Sequence, residues 1–499
     1  MPRSLAVIGM CVLAVAGIAT ALVVLGQDRP EFTTKSDRAW ALYQAGEARL
    51  RAFQWAAADS LLGEAVRLDP DFAMAQATLA FNSALRGRKD GVKERIALAD
   101  SLARNLKREN ERLLVQLRLC DVDKKWNAKK DSLLSILGER LPRHPLVIVA
   151  RANAAMARGD NEAHEAAYRE LLDIDPNYAS AYNYLGYAAA RRGRYEEALS
   201  HLRRYAFLAP DLANPHDSLG EVLIWIGDYE AAERELVEAL RKQPDFIASV
   251  SNLITVYVAQ GRLAKAEELI ERTRTELAGT GMDLAFDDHL LGVWFHYGYL
   301  DRGAQAAARF ARKAVAEQWV SRASVMHRVI QLANSGQAAA AQSLCDSLAI
   351  AVRGSHSYKS SQTAQRRLEA ELHIYQAMAY ELLREPTAAM AEWGRALVEM
   401  NREPPHERWW VHWRYGESLL ALGQAAGALV QAEQVLSTNA SLTGPLLLRA
   451  KALSSLGRLE EARQALALAD AALSLADPGS PARAVADSLR ALLRPSPPA

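Results

Sequence analysis

Four glycines, Gly159, Gly193, Gly227 and Gly261, recur at a constant interval of 34 residues between Pro145 and Thr280, and Pro176, Pro210 and Pro244 keep the same beat. Self-similarity at one fixed period constrains a chain to an array, in which each unit buries its apolar face only against its neighbours. The unit itself is readable. Tyr182, Leu185, Gly186 and Ala189 share one helical face at three- and four-residue spacings, and Ala198 and Leu202 do so on the helix that follows. Gly186 and Ala198 carry almost no side chain, so the two helices can approach closely there. Gly193 suits the left-handed turn that ends the first helix. Pro210 cannot continue the second. The expected fold is all-α, an α-solenoid of helix-turn-helix pairs.

With those residues in view, the segment 181–210, AYNYLGYAAARRGRYEEALSHLRRYAFLAP, resembles a tetratricopeptide repeat. Leu185-Gly186, Ala198, Leu202 and Pro210 match that family's pattern, as do Leu219-Gly220, Ala232, Leu236, Ala239 and Pro244. Tyr182 and His216 stand where the family prefers Trp. In style the array resembles those of bacterial membrane-anchored proteins. The resemblance implies a right-handed superhelix whose first helices line a concave groove for an extended peptide or a partner helix. It implies no cofactor.

The same register opens earlier, with Ala45-Gly46, Ala58, Leu62, Ala65 and Asp69-Pro70. A charged turn around Gly87 follows, and residues 107–144 read as two amphipathic helices around Trp126. After Thr280 the rhythm loosens through Leu291-Gly292 and Gly336. Arg384 then occupies a turn-glycine slot, and Gly423 and Gly457 restore the 34-residue interval. About eleven helix pairs result. The expected segments are an anchor at 1–27, a linker at 28–38, a first repeat block at 39–280, a second at 281–476, and a capping helix with a Pro-rich tail at 477–499.

Leu5 to Leu25 is uncharged, follows Arg3 and precedes Asp28 and Arg29, which is long enough for a membrane-spanning helix. A cleaved signal peptide is the rival, since Ala19-Thr20-Ala21 has the form of a cleavage site. Apolar residues continuing through Leu22–Leu25 favour the anchor. On that reading the protein sits in the cytoplasmic membrane by a single pass, with its repeats on the far side; on the rival it is released to the periplasm. The charge balance of 60 basic and 59 acidic residues gives no field for nucleic acid. Three cysteines, Cys11, Cys120 and Cys345, make no disulfide framework.

Motifs for chemistry are weak. His164-Glu165 opens a zinc-protease pattern, but Tyr168 stands where the second His is required. His289 and His296 lie seven apart beside Asp287 and Asp288, a spacing at which histidines commonly just pack. Gly279-Thr280-Gly281 lacks the Lys-Ser/Thr of a phosphate loop. No enzyme, metal or cofactor is expected. The groove face implied by the resemblance carries Asn153, Asn183, Tyr187, Asn214, Asp217, Glu221, Trp225 and Asn252. Asparagine can both donate to and accept from a peptide backbone, although the same residues read equally well as solvated. The basic residues of the family's carboxylate clamp are missing at the matching places. A second candidate is the aromatic run Trp409, Trp410, Trp413 and Tyr415, in which Trp410 and Trp413 face the groove and Tyr415 the core. The expected function is a membrane-tethered scaffold for protein or peptide partners. The alternatives are a ligand-sensing regulatory module and a component of envelope assembly.

Overall fold

The computed structural model describes residues 31–494 apart from 52–53, 86–90, 124–127, 279–281, 317–321, 356–357 and 360. The expected anchor, the start of the linker, Gly87, Trp126, the Gly279-Thr280-Gly281 loop and the last residues of the tail lie outside the described residues. Those described form 25 helices and no strand. Single-pass membrane localisation is corrected: among the described residues no helix is long and apolar enough to cross a membrane.

The chain divides into two compact units, one ending at Leu185 and the other beginning at Gly186. The first unit holds four helix pairs: Asp37–Arg51 with Trp55–Leu68, Ala73–Leu85 with Val92–Arg104, Glu109–Cys120 with Lys130–Arg140, and Pro145–Ala157 with Asn161–Ile174. The repeat logic sets their contact. A Cβ on Gly46 would lie 2.8 Å from Leu62, so only glycine lets the first two helices close to this distance. Ala58, Leu62 and Ala65 are wholly buried beneath it. Residues 31–36 run back over these helices: Thr33 donates to Glu111 from its amide at 2.5 Å and its hydroxyl at 2.7 Å, and Thr34 Oγ1 donates to Asp69 at 2.6 Å. Phe32 is buried in the same core.

The helix Ala179–Arg191 spans the division, and Tyr195–Leu208 follows it in the second unit. Seven further pairs come next, beginning with Ala213–Ile226 and Tyr229–Lys242, and the single helix Pro481–Leu492 packs on the last of them. That makes twelve pairs, one more than the sequence suggests. Gly220 repeats the close approach, with a Cβ there only 2.7 Å from Leu236. Asp228 caps the second helix of its pair by accepting from the Ala231 amide at 3.1 Å. Where the turn glycine is replaced, Arg384 still takes the left-handed conformation at φ 61°.

The second unit closes on itself. Asn439 donates to the Ile224 carbonyl at 3.2 Å, Asp477 donates its amide to the Gly261 carbonyl at 3.0 Å, and the Asp477 carboxylate accepts from the Ala264 amide at 2.8 Å. Asp477 thus caps, from more than two hundred residues away, the helix Leu263–Leu277. A Cβ on Gly298 would lie 2.5 Å from Trp413. Loops and helices near the C-terminus therefore sit against three successive inter-helix turns of the unit's first half.

Candidate functional site

In the first unit the helices enclose a cavity of about 660 Å³. Its walls are aromatic, with Trp40, Tyr43, Trp55, Phe81, Tyr178 and Tyr184. Trp40 stacks on Tyr43 at 5.6 Å between centroids and Tyr168 on Tyr184 at 4.4 Å, so the walls are mutually braced. Two guanidinium groups enter this surface: Arg51 lies over the Tyr178 ring at 5.4 Å and Arg118 over Phe81 at 5.1 Å. Arg118 is buried and paired with Glu47, itself buried, at 2.8 Å. Glu47 also accepts from Thr78 at 3.3 Å and Tyr43 at 3.4 Å. The Arg118 Nε has no hydrogen-bond partner, leaving a buried donor beside the cavity. Burial drives the Tyr43 hydroxyl well above its usual range and the Tyr178 hydroxyl up to about 12, so both stay neutral donors. Trp55 and Met156 stand exposed among the lining residues.

Asn153 lines this cavity. Asn183, also in the first unit, is buried with its Oδ1 unpartnered. The remaining groove residues fall in the second unit, where most are bonded to one another. Tyr187 donates to Glu221 at 2.6 Å, Asp217 accepts from Ser249 at 2.8 Å and Asn252 at 3.1 Å, and Asn214 accepts from Tyr205 at 3.0 Å. Trp225 is covered by His406 in a parallel stack at 3.7 Å. Trp410 and Trp413 are buried, Trp410 against His296 at 4.3 Å and Trp393 at 5.6 Å.

What these residues build is a cleft of about 270 Å³ in the second unit. Glu221, Trp225 and Asn252 line it from the first half, joined by His289 and His296, while His406, Trp409 and Asn439 come from the closing half. Burial pushes the Glu221 carboxyl up to about 7, with the Tyr187 hydrogen bond pulling the other way. Burial likewise holds His296 down to about 3 and His406 to about 4, and lowers His289. His289 is exposed only in the sense of facing a cleft walled by protein. Asp288 lies 2.7 Å from His327, and Asp287 pairs with Arg274 at 2.9 Å. Among the described residues no group of three or more His, Cys, Asp or Glu could hold a metal ion. The contributions of His406, Trp409 and Asn439 to this cleft depend on closure of the array, which no local spacing signals.

The fold and these two concavities define an α-solenoid of stacked helix pairs. Residues 149–213 and 227–279 match two tetratricopeptide-repeat family models. The chain carries tetratricopeptide repeats over these residues, and such repeats support a protein–protein interaction scaffold. Over 110 residues it is 30% identical to a tetratricopeptide repeat and J domain-containing co-chaperone, DNJ1, of Cryptococcus neoformans, covering 22% of this chain and 21% of the relative. The chain thus spans about a fifth of the length of that curated relative. Among solved structures it is similar to a mutant Thermobaculum terrenum O-GlcNAc transferase, at 31% identity over 23% of this chain and 22% of that one, with a TM-score of 0.22. The Cut9–Hcn1 hetero-tetramer of the APC/C aligns over 96% of this chain and 82% of its own at 14% identity and a TM-score of 0.41. The MamA protein aligns over 36% and 96% at 20% identity and 0.29.

Proposed function

We propose that the protein is a scaffold that captures an extended segment of a partner protein in the cavity of its first unit, seating an aromatic or large apolar side chain there. The observation that carries this reading is the braced aromatic cavity of about 660 Å³ with a buried arginine at its wall. Its size suits a ligand of several residues, and the rings give large contact area at little entropic cost. The unpartnered Arg118 Nε offers a donor to a backbone carbonyl of the segment. Asn153 offers both a donor and an acceptor. In the second unit, by contrast, Tyr187, Asp217, Glu221 and Asn252 are engaged with one another.

The test is selection from a random peptide display library against the intact protein, followed by affinity measurement on Trp55→Asp and Met156→Asp variants. Both positions are exposed, so the changes leave the fold in place. The expected result is enrichment of peptides bearing aromatic residues whose affinity falls at least about tenfold in both variants. Selected peptides that bind both variants unchanged would overturn the proposal.

A further inference from the structure

The second unit's cleft has a chemistry that the partner-capture reading does not use. No lysine or arginine lines it. Glu221 is enclosed there, and Tyr187 satisfies only one of its oxygens, Oε2. Asp288 is engaged by His327 and Asn252 by Asp217. The indole and phenol rings of Trp225, Trp409 and Tyr297 form the walls. These rings are fixed, Trp225 by the His406 stack and Trp409 by Tyr297 at 5.2 Å and Trp413 at 6.3 Å. The His406 side chain is only 4% exposed, and its Nδ1 has no hydrogen-bond partner. A buried polar atom left unpaired in a roomy cleft is costly. So is an enclosed carboxylate without a counter-charge.

We infer that this cleft is a binding site for a small primary alkylammonium ion. The Glu221 carboxylate pairs with its charge, His406 Nδ1 accepts one of its N–H groups, and the aromatic walls receive its alkyl stem. A primary alkylammonium ion meets the three demands together. An anion meets Glu221 as a like charge, a neutral alcohol leaves the carboxylate without a counter-charge, and a quaternary ammonium has no N–H for His406. Aromatic walls favour a cation through the negative faces of their rings as well as an apolar stem through contact. The three histidines do not oppose it, because burial keeps them neutral near pH 7. The groups that act on Glu221 from adjacent elements are Tyr187, Asp217 and the exposed Arg191. Arg191 does not line the cleft, so its charge leaves the interior without a cation. About 270 Å³ admits a short chain, which sets n-butylammonium as the probe.

The experiment is calorimetric titration of the full chain at pH 7.5 with n-butylammonium, with 1-butanol and tetramethylammonium as matched controls. Expected are one site per chain for n-butylammonium, binding of both controls weaker by at least about tenfold, and a loss of at least about tenfold on Glu221→Gln. His406→Phe, which keeps the stack on Trp225 and removes only the nitrogens, loses affinity for n-butylammonium but not for tetramethylammonium. Circular dichroism of both variants checks that the fold is retained. The proposal is overturned if n-butylammonium gives no saturable binding, if 1-butanol binds as well, or if the folded Glu221→Gln protein binds unchanged.

Discussion

Asn439 donates to the carbonyl of Ile224, and its Oδ1 occupies the space where a Cβ on Gly227 would lie. A turn glycine of the repeat therefore does two things at once. It ends the helix Ala213–Ile226 at φ 84°, and it makes a socket for a residue more than two hundred positions away.

The pair Gly227→Ala and Gly193→Ala separates these roles. Gly193 also has a positive φ, at 73°, but nothing lies near a Cβ added there. Gly193→Ala should cost the left-handed penalty alone, about 1 kcal/mol. Gly227→Ala should cost at least ~1 kcal/mol more, because Asn439 must move and give up its hydrogen bond to the Ile224 carbonyl. Urea unfolding of the two variants measures the difference, and hydrogen exchange of residues 437–442 should rise only in Gly227→Ala.

Arg384 gives the converse case. It holds a glycine's conformation with a side chain, so Arg384→Gly should relieve strain and raise the unfolding midpoint by the equivalent of about 0.5–1 kcal/mol. No change or a fall in midpoint would count against strain at this turn.

The Arg118–Glu47 pair should behave as a buried ion pair. Arg118→Met leaves Glu47 only the more distant Arg51, at 3.9 Å, and should destabilise the first unit by about 3 kcal/mol, whereas the double change Arg118→Met with Glu47→Met should recover most of that loss. A double-mutant cycle followed by urea unfolding reads the coupling.

The cleft imposes a pH dependence of two opposite signs. Unfolded, His296 and His406 take up protons near 6.5, while the folded protein resists until about 3 and 4. Their contribution to stability is present above pH 6.5 and is lost as pH falls from there. Glu221 is raised from 4.5 to about 7, so its contribution is present below pH 4.5 and is lost as pH rises through 7. Accordingly His296→Phe should gain midpoint relative to the parent at pH 5 but not at pH 7.5, and Glu221→Gln should gain at pH 7.5 but not at pH 4.5. Thermal midpoints across this range check both signs.

The parts of this fold that are local were legible in the sequence. The 34-residue period fixes the helix pairs, Gly186 meets Leu202 as its spacing requires, with a Cβ there 2.8 Å away, and even the substituted turn at Arg384 adopts the backbone of the glycine it replaces. What the period cannot encode is contact between distant repeats. Asn439 and Asp477 lie in ordinary loops, and nothing in their spacing predicts that they reach Ile224 and Gly261. By spacing Trp410 and Trp413 can face the groove or pack against neighbouring helices, and they are buried because the returning helix Pro405–Ala421 packs against Gly298 and His296. The aromatic cavity of the first unit was missed for a different reason. Its walls come from residues as far apart as Trp40 and Tyr184, in separate repeats that no single period brings together.

Hydrogen exchange of the full chain with and without a display-selected peptide tests the central claim most directly. The account predicts protection confined to the cavity helices of the first unit, Asp37–Arg51 and Pro145–Ala157. Protection confined to Ala213–Ile226 and Ile247–Ala259 of the second unit, with those helices unaffected, would contradict it.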